Sequence, residues 1–362
     1  MSRTLVTRLL RNPLYWLLLL APVVIVLQAF EAGPVWVLLT SALALVPMAG
    51  LIGEATERLA LRTGPRIGGL LNATLGNAAE LIITVVAIRA GLLELVKASI
   101  TGSILGNLLL VLGFSMLAGG IRHGEQLFDR RKASSDSILL VLAVVALSIP
   151  TFFSQSVNGL GDASVETLSL GVAGLMVILY GLGLTHSLRS PSSALTRPSA
   201  ESVAHASSGW SLRAALAALA IATAGVAWLS EVLVAQVEPV VLDLGVSEFF
   251  LGVVLIPIVG NVAEHLVAVS VALKNDMSLS VEIAVGSSLQ VALFVVPVLV
   301  FLSLLLGHPL TLVFNSFELI ALIGGVLIAA LVSADGEANW LEGAELLAVY
   351  LMLALAFFLL PL

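Results

Sequence analysis

Gly76-Asn77-Ala78-Ala79-Glu80 is the stretch that decides how the chain is read, because it occurs twice. Gly76, Asn77, Ala79 and Glu80 return as Gly260, Asn261, Ala263 and Glu264, each 184 positions later. The same offset carries Gly102-Ser103 onto Gly286-Ser287. Both copies sit in strongly apolar surroundings, where an ionisable side chain costs about 2.5–3.5 kcal/mol on insertion scales and marks a functional position. Two such costs at equivalent points of two repeats point to one shared site. The plainer alternative is two buried glutamates, each satisfied by a neighbouring helix.

Composition sets the solvent. The chain has 362 residues, 59% hydrophobic and only 11% charged, against about 25% charged in soluble proteins. Its mean hydropathy is +1.11, so an integral membrane protein in a lipid bilayer is expected. The absence of cysteine excludes disulfides, thiolate metal sites and cysteine nucleophiles. The net charge of −7 is spread without forming a block, which implies no nucleic-acid partner. Three arginines in Met1–Arg11 precede an apolar run. No small-residue cleavage site follows, so Leu14–Phe30 reads as a first span rather than a signal peptide.

Apolar stretches of about 20 residues read as membrane spans. Eleven are expected: 13–30, 34–60, 67–90, 95–119, 136–154, 164–186, 210–236, 246–273, 279–306, 309–333 and 342–361. With the N-terminus cytoplasmic, 14 of the 16 Lys and Arg residues fall inside, leaving Arg89 and Lys97 outside. That bias orients the chain and places the C-terminus outside. Setting aside the first span leaves two sets of five that begin on opposite sides, an inverted repeat. Such repeats, with discontinuous helices meeting at the midplane, describe many secondary transporters. The expected fold is therefore all-α. Residues 1–33 hold the N-terminal segment and first span, and 34–186 and 210–362 form the two five-helix repeats. Residues 187–209, rich in Ser and Pro, read as a cytoplasmic tether.

The residues around the two glutamates suit a hard cation. Gly76, Pro257 and Gly260 loosen the helical ladder, and a freed carbonyl at membrane depth needs protein, water or an ion beside it. Asn77 and Asn261 each add a side-chain oxygen on nearly the same helix face as Glu80 and Glu264. An oxygen-only set of this kind suits Ca²⁺, which takes six to eight oxygens in flexible geometry. Ser103, Ser287 and the neutral amide of Gln290 are candidate supports on facing helices. Glu54, Glu57, Glu231 and Glu238 are candidates for handling ions or protons, or ordinary carboxylates near a water interface. Lys97 reads as a span-end residue that snorkels to the interface.

These residues carry a family resemblance. Gly-Asn-Ala-Ala-Glu-Leu-Ile (76–82), the run from Gly102 to Gly113, and Pro-Ile-Val-Gly-Asn-Val-Ala-Glu-His (257–265) resemble the paired signatures of the Ca²⁺/H⁺ antiporters. Gly-Glu-Ala-Thr-Glu (53–57) and Gly-Ser-Ser-Leu-Gln-Val-Ala-Leu-Phe (286–294) do so too. The resemblance covers nearly all of the chain after the first span. It implies alternating access, Ca²⁺ held between the third and eighth spans by Glu80 and Glu264, and Gln290 supporting the site. Ca²⁺ and protons would be the transported partners, with no cofactor, in a prokaryotic plasma membrane. Position 97 is Lys where many relatives have Gln.

Other classes remain open at this point. A Na⁺-coupled or broader divalent exchanger, one carrying Mn²⁺ for example, is the nearest alternative. A passive channel would not need a duplicated carboxylate pair. An intramembrane metalloenzyme is suggested only by Glu264-His265, whose side chains point about 100° apart on a helix. No His lies four residues from His265 on either side.

Overall fold

The computed structural model describes residues 13–63, 65–156, 162–189 and 210–360. The expected N-terminal segment up to Asn12 and the tether over 190–209 lie outside the described residues. The described chain is almost entirely helical. A 3₁₀ stretch Pro13–Leu19 leads into α1 (Leu20–Ala29), followed by α2 (Pro34–Thr63), α3 (Pro65–Leu75) and α4 (Ala78–Arg89). Next come α5 (Leu93–Leu105), a π-helical segment Gly106–Val111, α6 (Leu112–His123), α7 (Arg130–Ser156) and α8 (Asp162–Arg189). The second half contains α9 (Leu212–Ala235), α10 (Val237–Leu244), one turn at Glu248–Phe250 and a second π segment, Leu251–Leu255. It closes with α11 (Ile256–Ala272), α12 (Met277–Gln290), a third π segment Val291–Val295, α13 (Val296–Leu305), α14 (Ser316–Val332) and α15 (Trp340–Leu359). Two-residue strands β1 (Gln126–Leu127) and β2 (Glu337–Ala338) pair antiparallel beside the starts of α7 and α15.

Eight helical stretches among the described residues are long and apolar enough to cross a membrane, and Leu14–Ala29 and Ser316–Val332 are shorter apolar helices. The expected span over 67–90 is two helices, because the chain turns at Gly76-Asn77 between α3 and α4. The helix expected from 309 begins only at Ser316. The cap offered by Asn315, together with the side-chain hydrogen bonds that hold the preceding residues extended, sets that start. Residues 308–315 run non-helical instead.

The chain divides into two compact units. In the unit containing Val86 and earlier residues, Gly181–Gly245 and Val259–Ala263, α2 lies along α9. Leu38, Leu45 and Ile52 of α2 are buried there, as are Val226, Leu229 and Leu233 of α9. In the unit of Ala87–Tyr180, Val246–Ile258 and Glu264–Leu362, the core is built on Leu95, Ile104, Leu108, Leu112 and Met116.

This second unit contains a non-helical strap, Leu310–Asn315. Leu310, Leu312 and Phe314 are buried in alternation, the period of an extended chain. No strand partner supplies its backbone bonds; side chains of four helices do. Leu310 N–H donates to Ser303 Oγ (2.8 Å), Leu312 N–H to Ser169 Oγ (3.0 Å) and Phe314 N–H to Thr151 Oγ1 (3.0 Å). Thr151 Oγ1 donates to the Leu312 carbonyl (3.3 Å), and Lys97 Nζ to the Val313 carbonyl (2.9 Å). Irregular backbone at membrane depth survives only when satisfied inside the protein in this way. Lys97 therefore turns inward, its side chain only 12% exposed, and does not snorkel as expected.

Each buried backbone group left without a partner costs about 1–3 kcal/mol. Thr151→Val, which removes one hydroxyl serving two strap groups, should lower the thermal unfolding midpoint of the purified protein clearly. Thr151→Ser should stay near wild type. Equal midpoints for Val and Ser would show that the strap does not depend on this hydroxyl.

Candidate functional site

The break between α3 and α4 places Glu80 in the first turn of α4. A carboxylate there is favoured by the unsatisfied N–H groups and positive dipole end of the helix. Asn77, Glu80 and Asn261 are all buried, at 1%, 3% and 3% exposure. Asn261 Nδ2 donates to Glu80 Oε1 over 2.6 Å, joining the two copies of the motif by a charge-assisted bond. The Glu80 carbonyl also accepts from Thr84 Oγ1 at 2.7 Å.

The second copy is built differently. Helix α11 runs unbroken through Gly260, Asn261 and Glu264, so the backbone break expected at Gly260 is absent. One interior glycine weakens a helix by only about 1 kcal/mol, too little to open a well-packed one. Pro257 follows directly on the π segment Leu251–Leu255, so the irregularity lies upstream of Gly260 in a helix that continues unbroken. Gly260 acts by clearance instead. A Cβ at Gly260 would stand 3.1 Å from Glu80 Cγ, so glycine lets the carboxylate stem lie against α11. On α11, Glu264 follows Asn261 by three residues and His265 by four, so both side chains share the helix side that Asn261 presents.

A separate polar chain lies in the other unit. His265 Nε2 is 3.2 Å from Asn107 Oδ1, and Asn107 Nδ2 donates to Ser287 Oγ at 3.1 Å. With the Asn107 amide in this orientation, the imidazole carries its proton on Nε2. Ser103 and Ser287 are buried, and Gln290 is half-buried at the end of α12, directly before a π segment. Sequence reasoning gave no site role to Asn107 or His265. The signal was available: the offset of 184 pairs Asn107 with Val291 and His265 with Leu81. The polar residues thus depart from the repeat together.

The outlying carboxylates divide. Glu54 accepts from Tyr15 Oη at 3.0 Å and pairs with Arg58 at 3.4 Å, an arrangement that ties α2 to the N-terminal stretch. Glu57 is half-buried on α2, while Glu231 and Glu238 are exposed on α9 and α10. No group of three or more His, Asp or Glu side chains comes together among the described residues.

The profile of the sodium/calcium exchanger protein family matches residues 33–189 and 214–359. The chain belongs to the sodium/calcium exchanger protein family. A Ca(2+)/H(+) antiporter of Aphanothece halophytica is 44% identical over 97% of this chain and 98% of its own length. The Ca(2+)/H(+) antiporter ChaA of Bacillus subtilis (strain 168) is 45% identical over 87% of this chain and 90% of its own. The solved structure of native YfkE is 40% identical, with a TM-score of 0.83 over 96% of this chain and 100% of that one. As a member of the sodium/calcium exchanger protein family, the chain is a membrane transporter and not an enzyme. The metalloenzyme alternative is set aside.

A hydrogen bond to a charged group contributes about 1.5–3 kcal/mol. Asn261→Ala, which takes from Glu80 Oε1 its 2.6 Å donor, should therefore lower the unfolding midpoint in neutral buffer. A mutant melting at the wild-type temperature would show that this bond contributes nothing to folding.

Proposed function

We propose that the chain exchanges Ca²⁺ for H⁺ by alternating access, with Glu80 and Glu264 as the principal cation ligands and Asn77 and Asn261 beside them. The observation that carries this reading is the Asn261–Glu80 bond, which brings the two copies of the duplicated motif to one place. Glu264 sits one turn further along the helix that bears Asn261. The site offers oxygen ligands and no thiolate, which suits a hard divalent cation. The names of the close relatives support the same pair of ions.

The finer layout belongs to the same proposal. Counting the pair α3–α4 and the shorter helices at 14–29 and 316–332 with the eight long ones makes eleven spans. They are read as a first helix and two inverted sets of five. The offset of 184 supports this, since it carries the π-helical residues 107–111 onto 291–295. The N-terminus is placed in the cytoplasm of a prokaryotic cell with the plasma membrane as host.

Charge explains the coupling. Two ionised glutamates at membrane depth are costly when empty. One Ca²⁺ bound between them cancels their charge, and so do two protons. Either load can pass through an occluded state, while the doubly charged empty form is the least able to cross. Alternation between the two neutral loads turns a binding site into an exchanger, with a minimum of two H⁺ per Ca²⁺.

In proteoliposomes, a pH step should drive ⁴⁵Ca²⁺ uptake in wild type where a Na⁺ step does not. Glu80→Gln and Glu264→Gln should each reduce that uptake to background while the protein stays folded. Glu57→Gln and Glu238→Gln should slow it without abolishing it. Near-normal flux from either Glu80→Gln or Glu264→Gln would place the site elsewhere.

With potential clamped by valinomycin and K⁺, flux at a fixed pH gradient should change little, because the two-proton exchange is electroneutral. Strong voltage dependence would sink the two-carboxylate account and require a further titrating group.

A further inference from the structure

Glu318 is completely buried, yet it belongs to no part of the site above. It lies in the first turn of α14, three residues after Asn315, and the two form a reciprocal cap. Asn315 Oδ1 accepts from Glu318 N–H at 2.7 Å, and Glu318 Oε2 accepts from Asn315 N–H at 3.3 Å. A capping box needs only one carboxylate oxygen and commonly stands in water. Here the other oxygen, Oε1, reaches across to α5 and accepts from Thr101 Oγ1 at 2.6 Å, with Thr101 itself fully buried. One turn earlier on α5, Lys97 holds the Val313 carbonyl of the strap. Lys97 and Thr101, four apart, thus fasten one face of α5 to the strap and the start of α14.

The opposite side of α5 meets another irregular segment. A Cβ on Gly102 would collide with the Val253 carbonyl and stand 2.6 Å from Pro257 Cγ. A Cβ on Gly252 would stand 2.6 Å from Ala98 Cβ and 3.0 Å from the Leu95 carbonyl. Glu248 Oε1 accepts the Leu95 N–H at 3.0 Å, fixing the same contact at its end. Along Leu95, Ala98 and Gly102 the backbone of α5 therefore lies directly on the π segment Leu251–Leu255. Gly102 and Gly252 leave little side-chain volume between the two to absorb a rotation. That π segment runs straight into α11, which bears Asn261 and Glu264.

We propose that Glu318, acting through Thr101, is a positioning residue for the cation site: it sets the rotation of α5, and thereby the seat of the π segment that starts α11. The proposal rests on the exchange reading above. Glu318 touches no transported ion in this account. Its two oxygens serve one helix each, Oε2 closing the cap of α14 and Oε1 holding α5. A carboxylate suits both tasks because both oxygens accept, whereas an amide would face one of the two donors with its own N–H. Displacement of ligands by fractions of an ångström is enough to weaken binding, so the effect should appear in the Ca²⁺ dependence of transport.

The test is ΔpH-driven ⁴⁵Ca²⁺ uptake across a Ca²⁺ series, for the full-length wild type, Thr101→Val, Thr101→Ser and Glu318→Gln. Thr101→Val and Glu318→Gln should raise the Ca²⁺ concentration for half-maximal rate about tenfold, with maximal rate within about twofold of wild type. Thr101→Ser, which keeps the hydroxyl, should behave as wild type. If Glu318→Gln does not insert, the Thr101 pair still decides. Unchanged half-saturation in Thr101→Val would overturn the inference, as would equal losses for Val and Ser, which would assign the effect to packing. A wild type without ΔpH-driven uptake would instead overturn the exchange reading.

Discussion

A carboxylate withdrawn from water must be met by donors or by a cation, and the bond from Asn261 to Glu80 shows how this protein meets that demand. Several features of the surrounding chain follow from it. The turn at Gly76-Asn77 ends one helix and starts another, which puts Glu80 where N–H groups and a dipole favour negative charge. Gly260 lets α11 come close enough for the amide to reach, because any side chain there would press on the Glu80 stem. The apolar packing of α2 along α9 and of the α5–α6 core supplies rigidity, but neither selects an ion.

The same demand applies to backbone, and the molecule answers it outside regular α-helix in two ways. The strap at Leu310–Asn315 takes its hydrogen bonds from Ser, Thr and Lys side chains of surrounding helices. The π segments keep their bonds within the helix at the expense of its regularity. Both devices free the chain from the straight helix that a bilayer otherwise imposes. Helix α5, held between a strap and a π segment, is constrained on two sides by polar geometry rather than by shape alone.

Much of this was legible in the sequence. Composition gave the solvent, and the duplicated Gly-Asn-x-Ala-Glu gave the candidate ligands by repetition alone. The break at Gly76-Asn77 was readable because two poor helix formers stand together there. Gly260 misled for the opposite reason: glycine has two uses in a helix, and spacing cannot tell weakness from close approach. The strap was hidden inside an apolar run, where hydropathy counts Leu310, Leu312 and Phe314 toward a span whatever their backbone does. Its signal was the Asn-x-x-Glu cap at 315–318, which marks a helix start seven residues late. Lys97 was misplaced because its acceptor, the Val313 carbonyl, exists only once the strap is non-helical.

The departures from the repeat are as informative as the repeat. If the halves were chemically equivalent, one helix pair would mirror the other residue for residue. Instead Asn107 and His265 form a polar contact where the offset of 184 gives Val291 and Leu81. Glu80 stands at a helix start, whereas Glu264 stands inside an unbroken helix. A carboxylate in the first turn of a helix faces N–H groups that have no partner within the helix, while one in mid-helix depends on neighbouring side chains for donors. Two glutamates that share the Gly-Asn-x-Ala-Glu motif therefore stand in different helical surroundings. In the proposed exchange, such inequality favours ordered loading and release, because the two carboxylates need not lose or gain their partners at the same step.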